Sequence, residues 1–456
     1  MLYQKEIAVS EEYDVVVCGG GFSGFAAAYS AAREGAKVIL IERNTCLGGV
    51  GTQALVNHIL GARKYDDADG LTTCVAGIFA ELEEDLLKEE AAVDSFKINF
   101  ANNPHGWYAS LGAGMIFDNE RMKILLEQKL LERGVKILYY TDIVDVVKKG
   151  TVMEGVIVHN KDGLQVIKGS YFVDATGDGD ICTYAGCEAM VGDAESGMAA
   201  ASLEMHVENV DYESLANYMA ETDDRRFRRI IRKLTEDGVW KFPYEIFISV
   251  MLTRKDVFMI NTIRQVGISG IDAASMTKGM MEGRQECYEL LKVMREHFPG
   301  FKNAEIKQIA PVIGIRETRR IRSEYILTVE DLVEGRNFDD SIGMSAYGWD
   351  LPDPKRPSHQ PSHNVVRKSE YTQIPYRCLL PVGVDNLIMA GRCIGVEREV
   401  LGVVRVMGPC LAMGECAGIA SKLALQDNIS YRDVNIAALK KRIHECGGIT
   451  EREQVR

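Results

Sequence analysis

Apolar residues near the N-terminus form two short continuous runs. Asp14 to Cys18 and Lys37 to Ile41 are rich in β-branched residues and are typical of buried parallel strands. Between them lies an alanine-rich segment, Ala26 to Ala32, with the composition of a helix that packs closely on a sheet, and Gly35 ends it. The pattern predicts a strand, a turn, a helix and a second strand.

The turn before the predicted helix carries Gly19, Gly21 and Gly24 at G-x-G-x-x-G spacing. Gly19 permits a tight turn, Gly21 lets a pyrophosphate approach the backbone, and Gly24 lets the helix pack on the strand. Glu42 ends the second strand, where a carboxylate can accept hydrogen bonds from a ribose. Because the helix N-terminus also attracts phosphate, we predict a dinucleotide site. The alternative is a glycine-rich turn in another kind of α/β protein.

Three further glycine sites follow along the chain. Gly48, Gly49 and Gly51 come directly after the second strand, and such small residues would let the loop pass close to a bound nucleotide. A flexible surface loop is the alternative. Apolar strands meet glycine turns again at Asp174 to Asp180 and at Asp385 to Arg392. We therefore expect the dinucleotide domain to resume after each interruption.

Amphipathic and alternating segments indicate the elements between these sites. Val75 to Glu90 and Phe117 to Arg133 are predicted helices. A small antiparallel sheet is predicted from four alternating or β-rich runs, Val135 to Tyr140, Ile143 to Lys148, Val152 to His159 and Leu164 to Lys168.

From about Val191 to Tyr371 the pattern changes to helices rich in Met and Arg, followed by strands, and we interpret it as an inserted substrate domain. The run Ile313 to Ile321 alternates like a strand, which would place Arg316, Thr318 and Arg320 on one face. The proline-rich stretch Asp350 to His363 is a predicted loop. Its His359 and His363 lack a nearby carboxylate or thiolate partner, so no metal site is expected.

The length and the net charge of the chain indicate how many hydrophobic cores it can form and which partners are unfavourable. A chain of 456 residues with 46% hydrophobic residues can form two cores. Its formal charge of −13 argues against nucleic acid as a partner. The basic run Asp223 to Lys233 is interpreted as a solvated helix face.

Cysteine usage and the absence of long apolar runs predict the compartment. The 11 cysteines are odd in number and form no C-x-x-C pair, which is typical of core thiols in a reducing environment. Because no segment resembles a signal peptide or a membrane span, we expect a cytoplasmic protein without membrane insertion.

Taken in order, the motifs resemble the FAD-dependent oxidoreductases of the glutathione-reductase-like superfamily, including relatives of fumarate reductase flavoproteins. The resemblance rests on GGGFSG (19–24), CLGGVGT (46–52), DATGDGD (174–180), IGIRETRRI (313–321), IPYRCLLP (374–381), NLIMAGRCIG (386–395) and RVMGPCLAMGECAG (405–418). It implies an α/β fold, with a Rossmann-like FAD-binding domain of parallel and small antiparallel sheets and an inserted α+β substrate domain. The expected limits are 1–190 and 381–456 for the FAD-binding domain and 191–380 for the insertion.

The resemblance also implies which residues contact FAD. The ADP side would be formed by Gly19, Gly21, Gly24, Glu42 and Arg43, with Ile143 at the adenine-side backbone. Gly48, Gly49 and Thr52 would lie beside the flavin ring, and Gly177 and Arg392 beside the pyrophosphate and ribityl chain. The same motifs add Phe22, Ser23, Ala175, Thr176, Gly391, Met407 and Gly408 to the expected cofactor site.

The predicted activity is hydride transfer between flavin N5 and a small organic substrate, for which a sugar, polyol or other hydroxylated compound is the hypothesis. The candidates for catalysis are Arg405, Arg316, Tyr376, Arg377 and His58, and for each a structural ion pair or core role is the alternative. Arg405 is singled out because fumarate reductase relatives place a substrate-binding arginine before the final flavin helix. The residues around it differ from that pattern, so dicarboxylate chemistry is not implied.

Two other functions stay open, an electron-transfer subunit working with a redox partner and an FAD-binding protein with a non-redox role. No second G-x-G-x-x-G follows in mid-chain, which argues against a separate NAD(P)H domain. The sequence leaves the oligomeric state open, with a homo-oligomer as one arrangement.

Overall fold

The structure, a computed structural model, describes residues 6–192, 197–358 and 365–456. His359 and His363 lie outside these ranges. The strands of the described residues are β1 (Ala8–Cys18), β2 (Val38–Ile41), β3 (His58–Ile59), β4 (Arg63–Asp66), β5 (Gly70–Thr73), β6 (Met115–Ile116), β7 (Lys136–Leu138), β8 (Asp142–Lys149), β9 (Val152–Asn160), β10 (Gly163–Asp174), β11 (Ala189–Val191), β12 (Ala201–Ser202), β13 (Met205–Glu208), β14 (Ser249–Met251), β15 (Phe258–Ile260), β16 (Arg264–Gln265), β17 (Glu305–Ile309), β18 (Arg319–Ile321), β19 (Ser341–Ser345), β20 (Thr372–Pro375) and β21 (Leu387–Met389). The α-helices of the same ranges are α1 (Phe22–Arg33), α2 (Ile78–Lys88), α3 (Ala109–Gly112), α4 (Asn119–Glu132), α5 (Asp180–Tyr184), α6 (Tyr212–Thr222), α7 (Arg228–Glu236), α8 (Ala273–His297), α9 (Val329–Glu334), α10 (Arg398–Val404), α11 (Met407–Asp427) and α12 (Ile436–Glu445).

A sheet dominated by parallel strands forms the centre of the molecule. β7, β2, β1, β10 and β21 are neighbours in that order, and every pair among them is parallel. β10 is long enough to serve two partners, because residues 172–174 pair with β21 while residues 163–168 pair with antiparallel β9. β8 then completes the sheet beside β9. The α/β fold class is confirmed.

The predicted antiparallel sheet is confirmed for β8, β9 and the first half of β10, but it was wrong for the segment Val135 to Tyr140. β7 within that segment pairs in parallel with β2, from Ile39 opposite Lys136 to Ile41 opposite Leu138. α4 returns the chain to the sheet edge before β7, as a crossover between parallel strands requires. A short apolar run does not reveal which neighbour it will pair with.

Close helix packing covers the sheet. Residues 22–32 of α1 are all buried, and α11 packs directly along α1. Two glycines of α11 allow this approach: a Cβ at Gly414 would lie 2.1 Å from the Ser23 carbonyl oxygen, and one at Gly418 would lie 2.3 Å from the Ala27 carbonyl oxygen. The two helix backbones are therefore in contact, with no side chain between them at these points.

A second hydrophobic core lies within the predicted insertion. It is built around the antiparallel sheet β14-β15-β13-β17 and includes the buried aromatic residues Phe227, Phe247, Phe298 and Phe301. The larger core, by contrast, takes up buried residues between Ile321 and Leu380. The two cores thus divide the chain earlier than position 380, and the domain limits given above stay a prediction.

The prediction about the cysteines holds, since all 11 are free thiols, nine of them buried. The prediction about the basic run holds in part. Residues 228–233 of the run lie in α7, whose buried residues are Ile231 and Leu234, while Arg228, Arg229 and Arg232 are exposed. Arg226 precedes the helix and is partly buried, donating to the Gly106 carbonyl at 3.3 Å, so the solvated-face prediction is wrong there.

The described residues were also searched for helices that could cross a membrane. No single helix there is long and apolar enough to do so. α10 and α11 reach the required length and composition only as a pair bent by 90°.

Candidate active site

The first glycine turn has the geometry of a phosphate-binding cradle. Gly19 has φ +102°, and a Cβ there would lie 2.5 Å from the Ala175 carbonyl oxygen. A Cβ at Gly24 would lie 1.8 Å from the Gly19 carbonyl oxygen. Gly21 differs, because a Cβ there would meet no protein atom within 4 Å. The turn is tightly packed on the protein side and open at Gly21, which fits a nucleotide pyrophosphate approaching there.

The second glycine loop lies against this turn. The Gly48 N–H donates to the Gly20 carbonyl at 2.8 Å, and Gly21 and Gly48 form a parallel bridge. Gly49 has φ +53°, and a Cβ there would lie 3.0 Å from the Gly21 Cα. Residues 46–48 and 51–55 are buried, so the loop is part of the packed interior. We use "glycine cradle" below for residues 19–24 and 48–52 together.

Two helices begin at the cradle without side-chain caps. α1 starts at Gly21 and α11 starts at Val406, and neither has a capping side chain or an acidic residue in its first turn. α4, α6, α8 and α12 each start instead with an Asp or Asn cap. The free N–H groups and the positive end of the dipole leave both cradle helices suited to an anionic ligand group.

The start of α11 also touches the second glycine loop. A Cβ at Gly51 would lie 2.5 Å from the Phe22 ring and 3.0 Å from the Met407 sulfur. The Gly408 N–H donates to the Leu60 carbonyl at 2.9 Å. Phe22, Thr52 and Met407, which the sequence placed in the cofactor site, are thereby assembled around this loop, and Gly408 lies beside Leu60 further along the chain.

Glu42 connects the first turn to the end of β2. Its buried carboxylate accepts from the Gly20 N–H at 2.6 Å and from the Asn44 backbone N–H at 2.8 Å. The Thr141 N–H donates to the Glu42 carbonyl at 3.2 Å, which brings the start of β8, including Ile143, to the same end of the sheet. The expected adenine-side residues are therefore neighbours.

Asp178 binds two of the side chains near the cradle, those of Arg392 and Thr318. It lies 2.6 Å from an Arg392 nitrogen and accepts from the Thr318 hydroxyl at 2.8 Å. Gly177, with φ +76°, lies against the Arg392 guanidinium. Gly391, with φ +102°, would place a Cβ 2.5 Å from the Ser23 hydroxyl. Arg43 is 4.0 Å from Asp178 and largely exposed.

The Asp174 carboxylate shapes the turn that follows β10. Its Oδ1 accepts from the Thr176 N–H at 3.1 Å and from the Thr176 hydroxyl at 2.7 Å. Ala175 lies between them, and its carbonyl oxygen is the atom that packs on Gly19. This turn therefore forms the wall of the cradle behind Gly19.

Beside the cradle lies a group of arginines that we call the arginine cluster, namely Arg226, Arg264, Arg316 and Arg405. Arg405 donates to the backbone carbonyl of Asp350 at 2.8 Å and lies 3.2 Å from its carboxylate. Burial raises the pKa of Asp350, but Arg405, Arg316 and Arg264 outweigh burial and hold that pKa below its usual value. Asp350 is therefore an ionised centre of the cluster.

Burial and mutual repulsion act on the arginines themselves. Burial, together with the charges of Arg264 and Arg405, lowers the pKa of Arg316 to about 9. Burial lowers the pKa of Arg226 to about 10 and also lowers that of Arg264. Burial is the largest cause in each case, so these pKa shifts reflect the removal of the guanidinium groups from water.

Glu204 is a second acid of this region. Burial raises its pKa to about 8, although Arg316 and Arg264 oppose the shift. Its Oε2 atom is buried and has no hydrogen-bond partner among the described residues. Burial therefore favours the protonated form of this side chain.

Backbone contacts place the cluster next to the cradle. A Cβ at Gly314 would lie 3.8 Å from the Cβ of Ala54, which follows the second glycine loop. The Ala346 N–H donates to the Gly61 carbonyl at 2.9 Å, close to Tyr347. Gly61 in turn packs on Val406 at the start of α11.

The five catalytic candidates from the sequence lie in different places. Arg316 and Arg405 belong to the arginine cluster. Tyr376 lies in the larger core and donates to the Tyr431 carbonyl at 3.0 Å. Arg377 pairs with Asp340 at 2.9 Å. The structure does not bring Tyr376 or Arg377 to the cluster, and the contacts of both are structural.

His58 is buried, and its Nε2 has no hydrogen-bond partner among the described residues. Burial, with a smaller contribution from His105, lowers the pKa of His58 to about 3, so the ring is neutral. A Cβ at Gly114 would lie 2.5 Å from this nitrogen, so the ring of His58, in β3, packs against the residue that precedes β6.

The predicted faces of the run 313–321 were wrong. The strand β18 begins only at Arg319. Arg316 joins the arginine cluster, whereas the buried Arg320 lies near Glu317 and Arg398. Thr318 instead contacts Asp178 and Arg392. Residues 315–318 do not belong to a strand, so the two-residue alternation of a sheet does not extend over the whole run.

The sequence did not identify Arg226, Arg264, Glu204 or Asp350 as site residues, nor Tyr347, whose hydroxyl donates to the Asp350 carboxylate at 3.2 Å. Asp350 was assigned only to the start of a proline-rich loop, and Arg226 only to a solvated helix face. None of them belongs to a spaced motif. The one available signal was the richness in arginine of the inserted segment.

Comparison with known proteins gives a family match over most of the chain. The family model described as "FAD dependent oxidoreductase" matches residues 14–443. Thiamine thiazole synthase from Pyrococcus furiosus is 25% identical over 187 residues, which is 39% of this chain and 62% of that protein. The match thus spans less than two thirds of the synthase. Dihydrolipoyl dehydrogenase from Bacillus subtilis is 34% identical over 92 residues, 19% of each chain.

Among solved structures, the flavin-dependent brominase Bmp2 aligns with a TM-score of 0.50 at 12% sequence identity, over 94% of this chain and 83% of that one. At this identity the similarity is one of fold.

Proposed function

Because the chain belongs to the family of FAD-dependent oxidoreductases, we propose that it transfers a hydride between the flavin and a small organic substrate held between the glycine cradle and the arginine cluster. The observation that supports this most directly is the position of Arg405. It is the C-cap residue of α10, immediately before the uncapped start of α11, and brings the arginine cluster to the edge of the cradle.

Different residues of the cradle would contact different parts of the cofactor. The open face at Gly21 and the N-terminus of α1 would receive the pyrophosphate, and Glu42 would accept from the ribose. The second glycine loop and the start of α11 would receive the ring. Bound there, FAD supplies a two-electron acceptor or donor at its N5 atom.

Arg316 and Arg405 would orient the substrate and stabilise negative charge that develops on its oxygen. A hydroxylated carbon that gives up a hydride to the flavin also gives up its hydroxyl proton, for which the ionised carboxylate of Asp350 would be the acceptor within the cluster. Fixed guanidinium groups stabilise such an oxygen in a site shielded from water. This is the basis for proposing a sugar, polyol or other hydroxylated compound as the substrate.

Anaerobic reduction of the flavin tests the proposal. The purified yellow protein is mixed with a panel of polyols, sugars and hydroxy acids, and the loss of flavin absorbance is followed over time. We expect at least one compound to reduce the flavin in wild type and in the control Arg232→Lys, which changes an exposed residue of α7. A flavin that is photoreduced and reoxidised normally, but that no hydroxylated compound reduces, would contradict the proposed substrate class.

A further inference from the structure

We infer that the arginine cluster binds an anionic group of the substrate, either a carboxylate or a phosphate. This inference rests on the proposed function and narrows the substrate to a hydroxylated compound that carries a negative charge. The argument comes from the charges and the unused hydrogen-bond donors of the cluster.

Among the described residues, the charges within the cluster do not balance. Four guanidinium groups face the ionised carboxylate of Asp350, while burial favours the neutral form of Glu204, whose buried Oε2 has no hydrogen-bond partner there. Arg264 is only 5% exposed, and the side chain of Arg405 is 13% exposed. Charges in such surroundings are strongly disfavoured unless an opposite charge compensates them. A bound anion would supply that charge.

The hydrogen-bond donors point to the same conclusion. Each guanidinium has five N–H groups. Arg264 uses one nitrogen for the Pro357 carbonyl, Arg316 one for the Ala200 carbonyl, and Arg226 one for the Gly106 carbonyl. These acceptors are neutral. The buried Nε atoms of Arg264 and Arg405 have no hydrogen-bond partner among the described residues.

A neutral donor lies in the same place. Ser202 is directly opposite Arg264 in the β12–β16 pair, and its hydroxyl is buried with no hydrogen-bond partner among the described residues. Guanidinium groups present paired N–H donors that match carboxylate and phosphate oxygens. The cluster therefore offers charge, paired donors and a hydroxyl to one oxyanion.

The test uses the FAD-loaded protein and two probes, malonate and inorganic phosphate, each compared with sodium chloride at the same ionic strength. The melting temperature is measured across a concentration series. We expect one or both probes to raise it by a few degrees in a saturable manner, because a ligand that binds only the folded state stabilises it. A response to malonate alone identifies a carboxylate site, and a response to phosphate alone identifies a phosphate site.

Two variants and a control make the result specific. Arg264→Gln should abolish the response to the probe without lowering the melting temperature in chloride, because it removes one of several like charges. Arg316→Lys keeps the charge but loses the paired donors, and it should weaken probe binding about tenfold or more. The control Arg232→Gln, at an exposed position of α7, should respond like wild type.

Equal melting temperatures in both probes and in chloride would overturn the inference, as would a probe response that persists in both cluster variants. Retained FAD in every variant shows that the cradle is intact. If the cluster variants lose probe binding but their flavin is still reduced by substrate at the normal rate, this inference alone is overturned. If wild type binds the probe normally but no hydroxylated compound reduces its flavin, the proposed function is contradicted.

Discussion

The glycine cradle and the arginine cluster lie side by side and are built in opposite ways. The cradle consists of backbone from two short stretches, and its N–H and carbonyl groups already bond to one another, as Gly48 does to Gly20. The cluster consists of charged side chains from four distant segments, and several of its donors have no partner among the described residues. The hydrogen bonds of the cradle thus hold its shape within the protein, whereas burying the charges of the cluster is costly, and the proposed anion would offset part of that cost.

The sharpest test of this contrast is Gly21→Val. A Cβ at Gly21 meets no protein atom within 4 Å, so the apo fold should survive. The valine would occupy the space proposed for the pyrophosphate, and FAD affinity should fall by about 100-fold or more, since each charge-assisted hydrogen bond contributes about 1.5–3 kcal/mol. Titration of the apo protein with FAD measures the affinity. Full flavin occupancy in this variant would contradict the assignment of the phosphate turn.

Arg405→Lys tests the cluster in the same way. Lysine keeps the charge opposite Asp350 but loses the planar pair of donors. We expect near-normal FAD content and melting temperature, with flavin reduction by substrate slowed by about a hundredfold. Stopped-flow absorbance measures the rate. If the variant instead unfolds at a lower temperature and reduces its flavin normally, the Asp350 pair is structural and Arg405 has no part in the reaction.

Gly24→Ala separates packing from binding within the cradle. A Cβ at Gly24 would lie 1.8 Å from the Gly19 carbonyl oxygen, so strand and helix must move apart. Overpacking of this kind destabilises by about 1–3 kcal/mol, and we expect the apo protein to melt several degrees lower. Gly21→Ala is the matched control and should leave the apo melting temperature unchanged. Equal melting temperatures for the two variants would show that the turn can accommodate a Cβ at position 24 without loss of stability.

The smallest expected effect is the pH dependence conferred by Glu204. The groups that face it are Arg264, Arg316 and Cys287. Because burial raises the folded-state pKa of Glu204 to about 8, its contribution to stability is full below the ordinary glutamate pKa and is lost as pH rises through about 8. Glu204→Gln removes this titration.

The melting temperature of wild type should therefore fall further than that of Glu204→Gln when the pH rises from about 5 to about 9, by a few degrees. Other raised acids, such as Glu415 with a pKa of about 7, act equally in both proteins and cancel in the difference. Parallel pH curves would show that Glu204 is ionised and compensated by the arginines.

The same contrast explains how far the sequence could be interpreted. Gly19, Gly21 and Gly24 are constrained by their immediate neighbours, so their spacing was enough to predict the turn and the strand and helix around it. Arg264 and Asp350 lie far apart in the chain and come together only in the folded molecule, and no spacing along the chain encodes that contact. β7 was misassigned for a similar reason, since its partner is fixed by the path of α4.

Contact between α1 and α11 through Gly414 and Gly418 sets a fixed distance inside the molecule. The N-terminus of α1 is proposed to meet the pyrophosphate of the cofactor and that of α11 its flavin ring. Because the two helix backbones touch, the distance between these two helix ends is fixed. A ligand of half the length would reach only one of the two helix ends. The protein would then select cofactors by length as well as by chemistry. Larger residues in place of Gly414 and Gly418 would push α1 and α11 apart and change the distance between their N-termini.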